Sequence, residues 1–266
     1  MFFLKKFRPE HSENRMKAEG DVASARERFF STQNKILYHL IKRRFSWMND
    51  WIRSDDTKIV EIGSGSGLSK EFITNKNLLL TDVTLHPWID KKVDVTTDLD
   101  VFEDNSLDVV IASHVLHHIP YPKAFIQLIG TKLKSDGRLL IQDPYASVLF
   151  KVILRIMKHE GFDELVDVDN ILIPCNDPND PWSANCSVGK LLFDRGGRNF
   201  GKMKLVKAER GSCFLLLLSG GTIAKTWYPR WVGERGVSFI KKVDYLITRI
   251  APRLFACEYS VVLRKM

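Results

Sequence analysis

Residues 59–67 read I-V-E-I-G-S-G-S-G: an apolar, β-branched run with an acid, Glu61, near its end, broken off in alternating glycines. Only glycine lets a backbone turn at positive φ while a ligand approaches the main chain closely, so Gly63, Gly65 and Gly67 mark a nucleotide-binding turn. The small polar side chains of Ser64 and Ser66 can face the same ligand, and a helix starting near Leu68 adds unpaired amides. Asp82 ends the next apolar run, where a carboxylate accepts hydrogen bonds from both ribose hydroxyls of a nucleoside. The third group is His114, His117 and His118 with Asp143. On a helix the histidines share one face at i, i+3 and i+4, suited to a proton-accepting imidazole or, as the lesser alternative, to a shared metal ion. No metal ligand is assigned, and packing or helix capping accounts for such histidines as readily.

These residues need strands and turns to hold them. Residues 59–62, 77–82, 109–113, 139–141, 204–208 and 258–263 read as strands, and the segments between the early ones as connecting helices. A parallel sheet in this order exposes ligands at the carboxyl ends of its strands, where the glycine turn, Asp82, Ser113, the histidines and Asp143 all fall. The dinucleotide fingerprint G-x-G-x-x-G fails by one residue, because its third glycine would be Leu68.

The run E-x-G-x-G-x-G closely resembles motif I of the class I S-adenosylmethionine-dependent methyltransferases. Residues 103–108, E-D-N-S-L-D, resemble the lead into strand four in the family that includes the ubiquinone and menaquinone biosynthesis enzymes. Residues 132–141 resemble its L-K-P-G-G turn into strand five, with Ser135 and Asp136 where proline and glycine are usual. The resemblance covers about residues 55–145. It implies a Rossmann-like α/β fold: a seven-stranded, mostly parallel sheet with helices on both faces. It also implies S-adenosylmethionine as cofactor, with Glu61, Gly63, Ser64, Gly65, Gly67, Asp82 and Ser113 around it, and Asp94, with Asp98 as the alternative, and the Val95 amide at the adenine. In the family's ubiquinone-pathway O-methyltransferases an acidic pair and a histidine hold a divalent ion where His114, His117 and His118 stand. His118 matches the family's commonest histidine.

Beyond the shared core, residues 1–54 read as a charged, exposed arm followed by one or two amphipathic helices packed at the sheet edge or over the ligand. Residues 55–266 form the methyltransferase domain, with insertions at about 144–200 and 213–256. The first insertion opens on a basic amphipathic helix and continues through a turn-rich loop carrying Trp182. The second contains a helix over 237–250 with Phe239, Ile240, Val243, Leu246, Ile247 and Ile250 on one face. The resemblance implies that such insertions build the acceptor pocket.

Composition narrows the function. A 44% hydrophobic, 27% charged chain is ordinary for a globular protein, and its net charge of +8 favours an anionic partner or simply solvated lysines. Four separated cysteines with no C-x-x-C fit a reducing cytoplasm, and no apolar run is long enough to span a membrane. The expected acceptor is a small molecule, a glycan or a lipid-linked saccharide, with polysaccharide biosynthesis the preferred setting. Docking of the basic helices on a membrane surface competes with ordinary core packing, the commoner outcome.

The rivals are a nicotinamide-dependent oxidoreductase and a non-catalytic, methyltransferase-like binding protein. The first lacks its glycine spacing, and its Tyr-x-x-x-Lys occurs only at Tyr38–Lys42, upstream of the turn. Nucleic acid is a poor fit: Asp143-Pro144-Tyr145 lacks the second proline of amino-methylating enzymes, and Pro174-Cys175 lies too far along for a cytosine-attacking thiol.

Overall fold

The computed structural model describes residues 5–9, 22–31, 35–158, 160–168, 184–194, 199–221 and 233–266. The strands are β1 (Lys6–Phe7), β2 (Ile59–Ile62), β3 (Leu78–Asp82), β4 (Lys91–Lys92), β5 (Leu107–Ser113), β6 (Leu133–Pro144), β7 (Phe162–Asp163), β8 (Met203–Gly211) and β9 (Glu258–Lys265). The helices are α1 (Val22–Ser31), α2 (Lys35–Ser46), α3 (Pro122–Lys132), α4 (Val148–Met157), α5 (Val188–Phe193), α6 (Phe214–Ser219), α7 (Glu234–Ile250) and α8 (Pro252–Phe255).

Seven strands form one sheet in the order β4-β3-β2-β5-β6-β9-β8. Those from β4 to β6 are parallel, and β9 runs antiparallel between β6 and β8. This is the Rossmann-like arrangement, with its switch point between β2 and β5 at the centre. The inner strands read as unbroken apolar runs because both sheet faces are covered. On one face Ile59, Leu80, Val109, Ile111, Leu140 and Val262 pack against Ile36, Leu37, Leu40, Ile41 and Phe45 of α2. On the other, Val60, Ile62, Val110, Leu139, Ile141 and Val261 meet Phe125, Ile126 and Ile129 of α3 and Val188 and Leu192 of α5.

Local chemistry fits the turns. Asp136 stands at φ +64°, a conformation that usually favours glycine, and pairs with Arg53 and, at 3.3 Å, with Arg264. Asn105 takes φ +56° in the turn before β5.

Four expectations are corrected. After the glycine turn comes only a 3-10 turn, Leu68–Glu71, so the dipole of a full helix is missing there. Of the two placements expected for the helices after the arm, the sheet edge is not taken, since α2 covers the face of the sheet, whereas the preceding α1 does reach the glycine turn through Arg26. The arm is not wholly free: β1 pairs antiparallel with β7, and Arg8 donates to the buried Asp163 at 2.9 Å. Finally, α7 is turned with much of its apolar side outward. Phe239, Leu246 and Ile250 are exposed, while Asp244 and Thr248 face inward. Asp244 explains this, because its Oδ1 accepts the amides of Cys213 and Phe214 at 2.8 and 2.5 Å and Arg43 lies 3.2 Å from Oδ2. A buried carboxylate with those partners fixes the helix rotation more firmly than a few apolar side chains. Trp182 and Cys175 lie outside the described residues.

Candidate active site

The glycine turn after β2 has Gly63, Gly65 and Gly67 at φ +59°, +49° and +65°. A Cβ on Gly63 would stand 2.3 Å from Val115 Cγ2, and one on Gly67 2.7 Å from Trp88 Cδ1. Beneath the turn Glu61 is buried, with Ser69 Oγ donating to its carboxylate. Burial raises the Glu61 carboxyl to about 8 despite the hydrogen bonds from Ser69 and Ser64. Ser64 Oγ donates to the Glu61 carbonyl at 3.1 Å and accepts the Thr81 amide, tying β2 to β3.

Asp82 lies at the end of β3, as expected, and reaches the turn. Its Oδ2 accepts the Gly65 amide at 2.8 Å and its Oδ1 the Thr84 amide at 3.1 Å. Each oxygen keeps a further acceptor site. Asp94 follows β4, where its Oδ1 accepts from the Thr96 amide and hydroxyl at 2.8 and 2.6 Å, and Val95 is buried in the core. Two residues from outside the sequence-level set close the turn: Trp88 Nε1 donates to the Gly65 carbonyl at 2.8 Å, and Arg26 from α1 donates to the Ser66 carbonyl at 2.8 Å while its guanidinium lies over the Trp88 ring. No motif marks either residue.

The histidines do not share a helix face. Only Leu116–His118 form a 3-10 turn, and His114 precedes it at φ +57°. His114 points away from the partner that His117 and His118 share. His114 Nδ1 lies 3.3 Å from Ser113 Oγ and its Nε2 3.7 Å from Glu258, which accepts from Arg44 at 2.6 Å. Burial and the nearby Arg44 cation lower the His114 proton affinity against the pull of Glu258, so the imidazole is neutral at pH 7. Glu258, which burial alone would raise, is held well below the usual carboxylate range by Arg44 and His114.

His117 is buried, with Nδ1 2.8 Å from Asp143 Oδ1 and Nε2 3.6 Å from Glu160. Burial opposes its charge, but the two carboxylates outweigh it and raise His117 to about 10. His118, partly exposed, approaches the same Glu160 oxygen to 3.9 Å. Glu160, Cys186 and Glu258 escaped the sequence reading because they come from the first insertion and the last strand, with no local pattern.

Comparison with known proteins matches residues 22–170, more than half of the chain, to a family model described as a methyltransferase domain. The chain belongs to that methyltransferase family. Ubiquinone biosynthesis O-methyltransferases of Xanthomonas euvesicatoria and Xanthomonas axonopodis are 24% identical over 122 residues, covering 40% of this chain and 51% of theirs. The match thus spans about half the length of these relatives. A S-adenosylmethionine-dependent methyltransferase structure from Archaeoglobus fulgidus aligns with 20% identity and a TM-score of 0.47 over 90% of this chain and 97% of its own. A putative sarcosine dimethylglycine methyltransferase from Galdieria sulphuraria aligns at 13% and 0.42 over 82% of each.

The residues at the glycine turn fit the cofactor that the sequence leads one to expect, S-adenosylmethionine. Three positive-φ glycines leave a cradle without Cβ atoms, and the acceptor oxygens of Asp82 stand beside it. S-adenosylmethionine carries no phosphate, so a 3-10 turn in place of a long helix costs the site little.

Proposed function

We propose that the enzyme methylates an oxygen of a small molecule, a glycan or a lipid-linked saccharide, with His114 taking the acceptor's proton. The observation that carries this reading is the state of His114: neutral, held at φ +57° between Ser113 and Glu258, and joined through Val115 to the cofactor turn at Gly63. A histidine fixed in a left-handed backbone at a strand end is costly unless the surrounding structure over-determines it, and such positions cluster at functional sites.

S-adenosylmethionine supplies an electrophilic methyl group on a sulfonium. Displacement is in line, so the protein's task is alignment, exclusion of water and removal of the hydroxyl proton. Glu61, the glycine turn, Asp82, Asp94, Val95 and Ser113 are assigned to the cofactor; His114 is assigned as base, and His117, His118 and Asp143 line the acceptor side. The names of the Xanthomonas relatives favour oxygen as the atom methylated. Sugars of a polysaccharide pathway, in the cytoplasm, remain the preferred acceptors, since a basic chain suits an anionic one.

The test is turnover of labelled S-adenosylmethionine against sugars, quinols and RNA, with wild type and His114→Gln. Loss of about 10²–10⁴ in kcat at unchanged cofactor affinity is expected. Cofactor binding without turnover of any acceptor would favour the non-catalytic alternative, and unchanged kcat in His114→Gln would remove the base.

The outward face of α7 favours a second property, docking on an anionic membrane surface. Phe239, Leu246 and Ile250 are exposed among Lys241, Lys242 and Arg249, and no described helix is long and apolar enough to cross a membrane. Sedimentation with anionic but not neutral vesicles is the expected result.

A further inference from the structure

Beside the turn after β5 stands a cluster that takes no part in the proton transfer assigned to His114. His117, Glu160 and Cys186 each offer one ligand atom, and these lie within 4.8 Å of one another. Glu160 Oε1 is 3.6 Å from His117 Nε2, and Cys186 Sγ is 3.1 Å from Glu160 Oε2. Zinc bonds of about 2.0–2.3 Å in a tetrahedron put neighbouring ligand atoms roughly 3.3–3.8 Å apart, so these separations need only small adjustments. We propose that His117 Nε2, a Glu160 oxygen and Cys186 Sγ bind a divalent transition-metal ion of the zinc type, leaving one coordination position open.

Three features of the surroundings support a built site. Asp143 Oδ1 lies 2.8 Å from His117 Nδ1, the carboxylate–histidine arrangement that aims Nε2 at an ion. The other oxygen, Asp143 Oδ2, is buried and has no hydrogen-bond partner among the described residues. The ligands are also fixed by backbone contacts between distant segments: the Asn185 amide donates to the His117 carbonyl at 2.9 Å, and the Cys186 amide to the Gly161 carbonyl at 3.0 Å. Asn185 Oδ1 further accepts the Asp163 amide at 2.9 Å. The two insertion ligands therefore arrive at His117 already ordered.

The donor set decides the ion. One nitrogen, one carboxylate oxygen and one sulfur suit zinc, cobalt or another late first-row ion and disfavour magnesium, which takes oxygen ligands. On binding, the Nε2 proton of the His117 imidazolium and the Cys186 thiol proton both pass to solvent, and thiolate and carboxylate together balance the two positive charges of the ion. The ion then clamps the first insertion to the turn that carries His114 and Val115. Such a site does not depend on which acceptor is methylated.

Tag-free protein is stripped with a chelator, shown to be folded by circular dichroism, and titrated with Co²⁺ as the spectroscopic probe. One equivalent per chain is expected, with a thiolate-to-cobalt charge-transfer band that Zn²⁺ abolishes. Cys186→Ser should lose the band, and Asp143→Asn should keep it while binding about 10–100-fold more weakly. Folded wild type that takes up no Co²⁺, or a band that persists in Cys186→Ser, would overturn the site. S-adenosylmethionine affinity measured in the same samples separates this outcome from failure of the methyltransferase site.

Discussion

Replacing Gly63 by alanine perturbs two things that the structure separates. At φ +59° any L side chain bears a backbone penalty of about 1–2 kcal/mol. The new Cβ would also stand 2.3 Å from Val115 Cγ2, on a β-branched side chain with a stiff χ1, which adds an overpacking cost of about 1–3 kcal/mol. Gly63→Ala should therefore lose about 2–5 kcal/mol of stability. Gly65 offers the internal comparison, because it has φ +49° but its nearest neighbour, Val22 Cγ1, is 3.5 Å away. Gly65→Ala should cost only the backbone part, about 1–2 kcal/mol. Urea unfolding followed by fluorescence reads the difference, which for a slope near 2 kcal/mol/M amounts to about 0.5–1.5 M in midpoint. Adding Val115→Ala to Gly63→Ala should restore most of the overpacking part, while the same addition to Gly65→Ala should restore nothing. Equal losses for the two glycines, or no coupling between positions 63 and 115, would show that crowding against Val115 does not distinguish Gly63.

Asp82→Ala removes the acceptor beside the turn and should weaken S-adenosylmethionine binding at least about tenfold by calorimetry, since a hydrogen bond to a charged group is worth roughly 1.5–3 kcal/mol. Glu61 ties stability to pH: its folded value is raised from 4.5 to about 8, so the folded state binds the proton more tightly and stability falls as pH rises from 4.5 through 8. Glu61→Gln should flatten that decline, by a few kcal/mol at pH 9 at about 1.4 kcal/mol per tenfold change in proton affinity, and an unaltered pH profile of urea midpoints would contradict it. Arg138 Nη2 donates to Asp56 at 2.6 Å with both side chains buried. Arg138→Met strands the carboxylate and should cost about 3–5 kcal/mol, less in combination with Asp56→Asn; additive losses in the double variant would count against a pair.

What could be read from the sequence follows from how each part is held. The glycine-turn half of the candidate site is made of backbone, with glycines at fixed spacing, an acid at a strand end and strands buried on both faces, and each leaves a local pattern. The histidine half depends on contacts between distant segments. Nothing near His117 announces that Glu160 and Cys186 will reach it from the first insertion, or that Glu258 of β9 will face His114. The helical reading of 114–118 failed because the chain turns at His114 itself, which leaves room for only a 3-10 turn. Periodicity likewise found α7 and misread its orientation, because hydrophobic spacing cannot know that Asp244 caps the amides of Cys213 and Phe214.

The two imidazoles after β5 illustrate why position alone does not choose a base. Both follow the end of β5 within five residues, and by sequence they are equivalent candidates. Their surroundings drive them apart: burial and the Arg44 cation keep His114 without its proton, whereas Asp143 and Glu160 overcome burial and hold one on His117 up to about pH 10. A group that is charged throughout the working range cannot accept a hydroxyl proton, so the carboxylates that make His117 conspicuous also disqualify it as the base. His114, with its proton affinity lowered and its backbone fixed at φ +57°, is the one whose replacement should remove the acidic limb of the pH–rate profile. If that limb survives in His114→Gln, the proton goes elsewhere and the division of labour drawn from these two environments is wrong.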